Sequence, residues 1–369
     1  MSVAETIEKE FAKQKANIKK PNLMIIGGTG VGKSSLTNRV FGTSLAEVGS
    51  GKPITRGLNK YENEKTPLII YDTEGYELTN GTADSSNFHK VVIPEIKKLQ
   101  TQNLSEQIHF VWYCISIGNH RITEFDFQNI ELLNKELNIK CAIVFTQCDN
   151  DPIDDDGNGK GATAFRKALS ERNIKLPTFE TCANDPELPL QLEDLLNWSY
   201  DALDDDDLRQ SFVGAQKYSI ELKKKNAYKV VKTFSATTAA AAGINPLPLS
   251  DAALILPQQI AMAVSLSRSF GFDSLGDHFT TLLKTQVVSI IGKQLATSLT
   301  KFIPVLGQVI NATVAGTITG ALGLTLIQLY SKAYLTYLED GTLPDWADLF
   351  ANFNSLFEEG LKSWKTHKE

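Results

Sequence analysis

The sequence predicts two folds in tandem: a three-layer α/β domain with a mostly parallel sheet, then an all-α helical domain. Three observations carry this. The apolar run 23–26 feeds directly into Gly27-Gly28-Thr29-Gly30-Val31-Gly32-Lys33-Ser34. Strand-like apolar runs then alternate with helix-like segments as far as Tyr200, and from Leu208 the alternation stops. A chain of 369 residues, 42% hydrophobic and 22% charged, is long enough for two cores and too apolar for disorder.

The glycine-rich stretch reads G-x-x-x-x-G-K-S between a strand and a helix, the pattern of a phosphate-binding loop. Successive backbone N–H groups must converge on phosphate oxygens there, which leaves no room for side chains. Gly28, Gly30, Val31 and Gly32 supply that backbone, Lys33 a cation for β- and γ-phosphates, and Ser34 a hydroxyl ligand for Mg²⁺, with Ser35 beside it. Helix 33–41 adds its positive N-terminal end.

The polar segment 42–57 is expected to be a loop that supplies a second hydroxyl to Mg²⁺. Thr55 is the candidate, ahead of Thr43 and Ser44, which follow the helix too closely. Strands at 58–63 and 67–72 form a hairpin, and the second ends in Asp72-Thr73-Glu74-Gly75. Asp72 at a strand tip suits a Mg²⁺-bound water, and the Gly75 N–H suits the γ-phosphate. Lys33, Thr55 and Gly75 are thus the residues expected to act in catalysis. Tyr76 follows where a glutamine commonly positions water, so hydrolysis is expected to be slow or completed by a partner. Glu74, Glu77 and His89 are weak alternatives for acting on water.

A helix is expected over 88–99. The run 108–117 (IHFVWYCISI) is apolar almost throughout, as at the centre of a covered parallel sheet. Helical spacing over 122–137 leads to a strand at 141–145 and Thr146-Gln147-Cys148-Asp149. The segment 150–160 is read as a solvated acidic turn, because a calcium loop centred on Gly157 would need Pro152 and Thr163 as end ligands. A helix at 162–172, a strand at 176–181, Thr181-Cys182-Ala183-Asn184 and a helix at 192–200 complete the domain.

In this order and at these separations, residues 27–34, Thr55, 72–75 and the tetrapeptide resemble the Era-like branch of translation-factor-related GTPases. The resemblance implies a P-loop GTPase domain that binds GTP/GDP with Mg²⁺. The family's fourth motif is asparagine-lysine-x-aspartate; here Thr146 and Gln147 replace its first two residues and Asp149 keeps the carboxylate. A carboxylate accepts from guanine N1–H and N2–H₂ and repels the acceptor N1 of adenine. Losing the lysine gives up stacking on the base, and losing the asparagine alters a bond to the phosphate loop, so affinity is more exposed than base identity. Cys182 and Ala183 resemble part of the short Ser/Thr-x-Ala motif whose backbone lies along the guanine.

The acidic run 201–207 has no reason to be buried, which sets expected domains at 1–205 and 206–369. Beyond it, 208–235 is expected to be one helix with a solvated lysine face. Residues 233–267 read as two helices broken near Gly243, Pro246 and Pro248, resuming around Ser250. The charge-free run 302–331 contains Gly316-x-x-x-Gly320; a buried core helix is preferred over a membrane span because of Gln308, Asn311, Thr317 and Gln328. An amphipathic helix at 277–300 and further helices at 323–338 and 344–364 complete the expectation. Pro246, Pro248, Asp251, Gln258 and Met262, with Lys301-Phe302-Ile303-Pro304, Gly307, Asn311 and Thr317, resemble an uncharacterised helical domain. That domain occurs in bacterial inner-membrane proteins and behind Era-like GTPase domains, which raises an anionic membrane surface as a partner.

A net charge of −6 and the lack of an RNA-binding appendage disfavour nucleic acid. The four cysteines lack zinc spacing and read as reduced thiols. The N-terminal segment has no apolar signal region, so the expected place is the cytoplasm, peripheral to a membrane if the helical half meets lipid. The leading functional expectation is a GTP-dependent switch, with a second copy or a protein effector as partner. The alternatives are a membrane-acting GTPase and a non-hydrolysing interaction protein.

Overall fold

The computed structural model describes residues 18–42, 52–55, 58–62, 66–73, 78–79, 82–83, 88–244, 247–248, 256–272, 309–310 and 312–366, with Lys9 and Ala12. Expectations for Thr43, Ser44, residues 74–77 and the segments 277–300 and 302–308 lie outside the described residues. Contacts divide the chain into two compact units, Lys19–Ser219 and Ile220–Glu369, the latter grouped with Met1–Ile18.

The first unit is a seven-stranded sheet. Its strands are β1 (Asn22–Ile26), β2 (Lys52–Thr55), β3 (Leu58–Glu62), β4 (Ile69–Thr73), β7 (Phe110–Ser116), β8 (Lys140–Thr146) and β9 (Thr178–Glu180). A separate two-stranded ladder pairs β5 (Leu78–Thr79) with β6 (Thr82–Ala83). The large sheet runs β2-β3-β4-β1-β7-β8-β9, parallel from β4 to β9 and antiparallel at β2-β3 and β3-β4. β1 and β7 are buried along their whole length because helices cover both faces. Met24, Ile26, Val111, Tyr113, Ile143 and Phe145 point to one face, with Ile96 of α2 (Ile93–Gln100), Ile130 of α3 (Glu124–Glu131) and Phe165 of α4 (Lys160–Glu171). On the other face Phe110 and Trp112 meet Phe41 of α1 (Lys33–Phe41) and Phe212 of α6 (Asp206–Ala215). The indole N–H of Trp112 donates to Ser199 Oγ of α5 (Leu192–Ala202) at 2.9 Å.

Several elements differ from the sequence expectation. Part of the polar segment 42–57 is strand β2, at the sheet edge. The helices expected at 88–99 and 122–137 are each half π-turn, at Phe88–Val92 and Leu132–Glu136. The acidic turn is only partly solvated. Asp151 is buried, its carboxylate accepting from Gly161 N at 2.7 Å and Ala162 N at 2.9 Å, and so caps the start of α4. Within the acidic run, Asp205 caps α6 through Asp207 N and Leu208 N and pairs with Lys19, while Asp204 pairs with Lys140. The expected helix 208–235 is two helices. The Gln216 carboxamide donates to Ser219 O and accepts from Ser219 N, and Lys217 N donates to Val40 O at 2.7 Å, which ends α6 inside the first unit.

The second unit contains α7 (Ile220–Ile244), α8 (Leu256–Ser269), α9 (Ala312–Asp340), α10 (Trp346–Phe350) and α11 (Phe353–Thr366). A two-residue antiparallel ladder joins β10 (Leu247–Pro248) to β11 (Val309–Ile310). α9 runs unbroken through Gly323, where a new helix was expected to begin. Its glycines admit neighbouring helices: a Cβ on Gly316 would lie 3.1 Å from Ala239, one on Gly323 2.4 Å from Val231, and one on Gly320 2.2 Å from the Trp364 ring. Close helix packing accounts for the Gly316-x-x-x-Gly320 spacing. α9 is long and apolar enough to cross a bilayer, yet 83% of its most apolar window is buried within the unit. The lysine face of α7 is not wholly solvated, since Lys223 is fully buried with its ammonium 4.8 Å from the Tyr334 ring centroid.

Two outcomes test this packing. Gly320→Ala is expected to lower the unfolding free energy by about 1–3 kcal/mol in chemical denaturation, and Gly316→Ala by less, because the indole over Gly320 has no slack. His109 Nδ1 accepts from Asn22 N at 2.9 Å, and burial pushes the imidazole down to about 4 from its ordinary 6.5. The folded chain therefore resists a proton that the unfolded chain takes up, and stability falls as pH drops from 6.5 towards 4. Urea titrations across that range should show a shallower pH dependence for His109→Gln.

Candidate nucleotide-binding site

β1 ends between β4 and β7, and the glycine-rich loop leaves its tip. A Cβ on Gly27 would come within 2.5 Å of the Cys114 carbonyl oxygen, so the loop starts where only glycine fits. Gly30 (φ 77°) and Gly32 (φ 90°) occupy left-handed backbone. Gly32 precedes α1 without any side-chain cap, and the first turn holds no acidic residue. The leading N–H groups of α1 are thereby kept for an anion. Lys33 is buried, its Nζ donating to Gly27 O at 3.0 Å and Gly28 O at 3.1 Å. These use two of three ammonium hydrogens, which aims the charge into the loop with a donor to spare. Ser34 and Ser35 are exposed on the first turn of α1, while Gly28 and Val31 are buried beneath it.

On the neighbouring strand, half-buried Asp72 stands in register with Ile25, and Thr73 Oγ1 donates to Ile25 O at 3.3 Å. The Asp72 carboxylate thus belongs to the same sheet end as Ser34. Thr55 ends β2 in register with Leu58, itself in register with Thr73, so its backbone lies two strands, about 10 Å, from β4. Gly75 lies outside the described residues. His89 packs against the Phe125 ring at 5.5 Å between centroids, in an aromatic cluster with Phe88. Cys114 lies behind the loop, its thiol pushed up to about 12 by burial; burial does the same to Cys141 and Cys148. All four cysteines are buried and free.

A cleft opens beside the loop, lined by Gly32, Ser35, Leu36, Thr146, Gln147, Asp149, Thr181, Ala183 and Asn184. Three segments distant in sequence, the phosphate loop, 146–149 and 181–184, therefore meet in one place. Thr146 Oγ1 donates to Val31 O at 2.5 Å and Gln147 Nε2 to Gly30 O at 3.2 Å, so both replacements still bind the phosphate loop. Asp149 is exposed at the rim, with Asn150 Nδ2 donating to its Oδ2 at 3.1 Å. Thr181 anchors the far wall, its N and Oγ1 both donating to Phe145 O and its carbonyl accepting from Cys148 N. Cys182 is turned inward behind that wall, its sulfur accepting from Asp185 N at 3.4 Å, while Ala183 faces the cleft. Leu36 and Asn184 line the cleft and Ser116 Oγ donates to Gln147 Oε1 beside it, none of them among the residues the sequence singles out. The available signal for Ser116 was a polar residue closing an apolar strand at the sheet's C-terminal end, where ligands of open α/β sheets bind.

Residues 22–147 match a family described as 50S ribosome-binding GTPase, and residues 207–339 match Domain of unknown function (DUF697). GTPase Der of Chloroherpeton thalassium is 28% identical over 178 residues, 46% of this chain and 38% of that protein, so the chain spans well under half of this relative's length. Similar solved structures include a probable GTP-binding protein engB (16% identity, 49% of this chain, 97% of that one, TM-score 0.34). The FeoB G-domain of Methanococcus jannaschii is another (14%, 51% and 99%, 0.29), as is a dimerization-deficient mutant of Toc33 from Arabidopsis thaliana (16%, 56% and 91%, 0.36). The loop and the mostly parallel sheet are those of a P-loop, nucleotide-binding fold, and residues 22–147 of it match that GTPase family. In this chain that domain is fused to a C-terminal helical domain of uncharacterised role.

Thr146→Val keeps the shape but strands the buried Val31 carbonyl. It is expected to lower stability by about 1–3 kcal/mol, measured by chemical denaturation without nucleotide.

Proposed function

We propose that the chain is an Era-like, GTP-dependent switch that binds GTP or GDP with Mg²⁺ and hydrolyses GTP slowly or with a partner's help. The supporting observation is one cleft in which Asp149 and the glycine-rich loop share a wall tied together by Thr146 and Gln147. In this reading the N–H groups of Gly28, Gly30, Val31 and Gly32 cradle the phosphates, and Lys33 neutralises the γ-phosphate charge that grows in the transition state. Ser34, Thr55 and the Asp72 carboxylate hold Mg²⁺, which supplies further charge neutralisation when bound. Gly75 senses the γ-phosphate, Asp149 reads guanine, and the backbone at Cys182 and Ala183 borders the base.

The nucleotide domain is taken as 1–205 and the responding helical domain as 206–369, with a protein effector or second copy downstream. A cytoplasmic place follows from this reading. The length and apolarity of α9 favour a second one, in which the helical domain meets an anionic membrane surface. Co-flotation with anionic liposomes in one nucleotide state supports that reading, and its absence in both states removes it.

Calorimetric titration with GTP, GDP and ATP in Mg²⁺ tests the main proposal. Guanine nucleotides are expected to bind and ATP not to. Asp149→Ala is expected to weaken GTP by about 10- to 100-fold, the worth of one bidentate base contact. ATP binding as tight as GTP would overturn the assignment.

A further inference from the structure

We infer that Ser116 is a positioning residue for the phosphate loop, acting through Gln147; the inference deepens the nucleotide-binding reading above and rests on it. Three hydrogen bonds run in one direction. Gly118 N donates to Ser116 Oγ at 3.1 Å, Ser116 Oγ donates to Gln147 Oε1 at 2.5 Å, and Gln147 Nε2 donates to Gly30 O at 3.2 Å. The polarity is forced. The Gly30 carbonyl can only accept, so Nε2 must face it, and Oε1 at the other end takes the single hydroxyl hydrogen of Ser116. A carboxamide has one accepting and one donating end, so holding Oε1 at Ser116 leaves Nε2 facing Gly30. The flipped amide would set Oε1 against the Gly30 carbonyl oxygen, which can only accept.

The inner end of this chain of bonds is sheltered, Ser116 being buried at 3% exposure, while its last link, from Gln147 to Gly30, is exposed. It is also crowded into place: a Cβ on Gly118 would stand 3.3 Å from Ser116 Oγ and 3.8 Å from Gln147 Oε1. Gln147 itself sits at φ 58°, in the left-handed region.

What the chain of bonds controls follows from peptide planarity. In a trans peptide the C=O of one residue and the N–H of the next point in opposite directions. Gln147 draws the Gly30 carbonyl towards β8, so the Val31 N–H is turned the other way. Thr146 draws the Val31 carbonyl the same way, which turns the Gly32 N–H. Two successive N–H groups of the cradle are thus aimed by residues outside the loop. A lysine at position 147 would need no orienting partner, because an ammonium donates in every direction around its axis. A glutamine does need one. Ser116 and Gln147 are therefore a matched pair, and the serine matters only while 147 carries an amide.

The test is a double-mutant cycle in the full-length protein, read as the release rate of a fluorescent GDP analogue. Ser116→Ala should speed release about tenfold, the loss of roughly one hydrogen bond. Ser116→Thr, which keeps the hydroxyl, should stay near wild type. In the Gln147→Lys background Ser116→Ala should change nothing. Equal acceleration in both backgrounds, or none in either, overturns the inference. Amide hydrogen exchange at Val31 and Gly32 without nucleotide reads the same coupling: faster exchange in Ser116→Ala alone supports it, and unchanged exchange sinks it. Failure of the wild-type chain to bind guanine nucleotide would instead strike the functional reading.

Discussion

The hydroxyl of Thr146 and the carbonyl of Val31 meet across 115 residues of sequence, and the spacing of the nucleotide cleft depends on that meeting. One partner sits at the tip of β8, the other inside the glycine-rich loop after β1. β7 lies between those strands and fixes the distance by regular pairing, Ile26 beside Tyr113 and Ser116 beside Thr146. The sheet provides the separation and the hydrogen bond locks the loop to it. Without the bond, a loop of left-handed glycines has many conformations and loses entropy on binding.

The same economy explains why the departure from asparagine-lysine is tolerated. Threonine is shorter than asparagine but reaches the buried Val31 carbonyl directly, and glutamine substitutes a neutral donor for an ammonium. Both keep the backbone tie; the charge is what is lost. Lys33 therefore supplies the positive charge that the described residues of the phosphate loop present to a ligand, reinforced by the uncapped start of α1.

The glycine-rich loop was legible in the sequence because its chemistry is written in adjacent residues, and so was the central sheet, whose apolar strands tolerate little else. Ser116 was not legible, since its importance lies in the register of β7 with β8 and in a partner distant along the chain. Asp151 looked like one more solvated acid among 154–156, yet two backbone N–H groups of α4 draw it inside. The sequence reading starts a new helix at Gly323; in α9 the space beside that glycine is filled by Val231, and packing carries the helix through a residue of low helix propensity. Lys223 looked solvated because lysines usually are, and nothing local announces the Tyr334 ring that receives it.

The indole of Trp364 fills the notch that Gly320 leaves on α9, and Gly360 of the same helix rests against the Ala321 carbonyl. This arrangement sets an order of assembly during synthesis. The α/β unit has all its strands once the ribosome has passed Ser219, and can close while the rest is still being made. α9 emerges with that notch uncovered and waits for α11 before its side is sealed. A newly made chain therefore carries a finished nucleotide unit and an open apolar helix at the same time, and that interval is when a chaperone has most to shield.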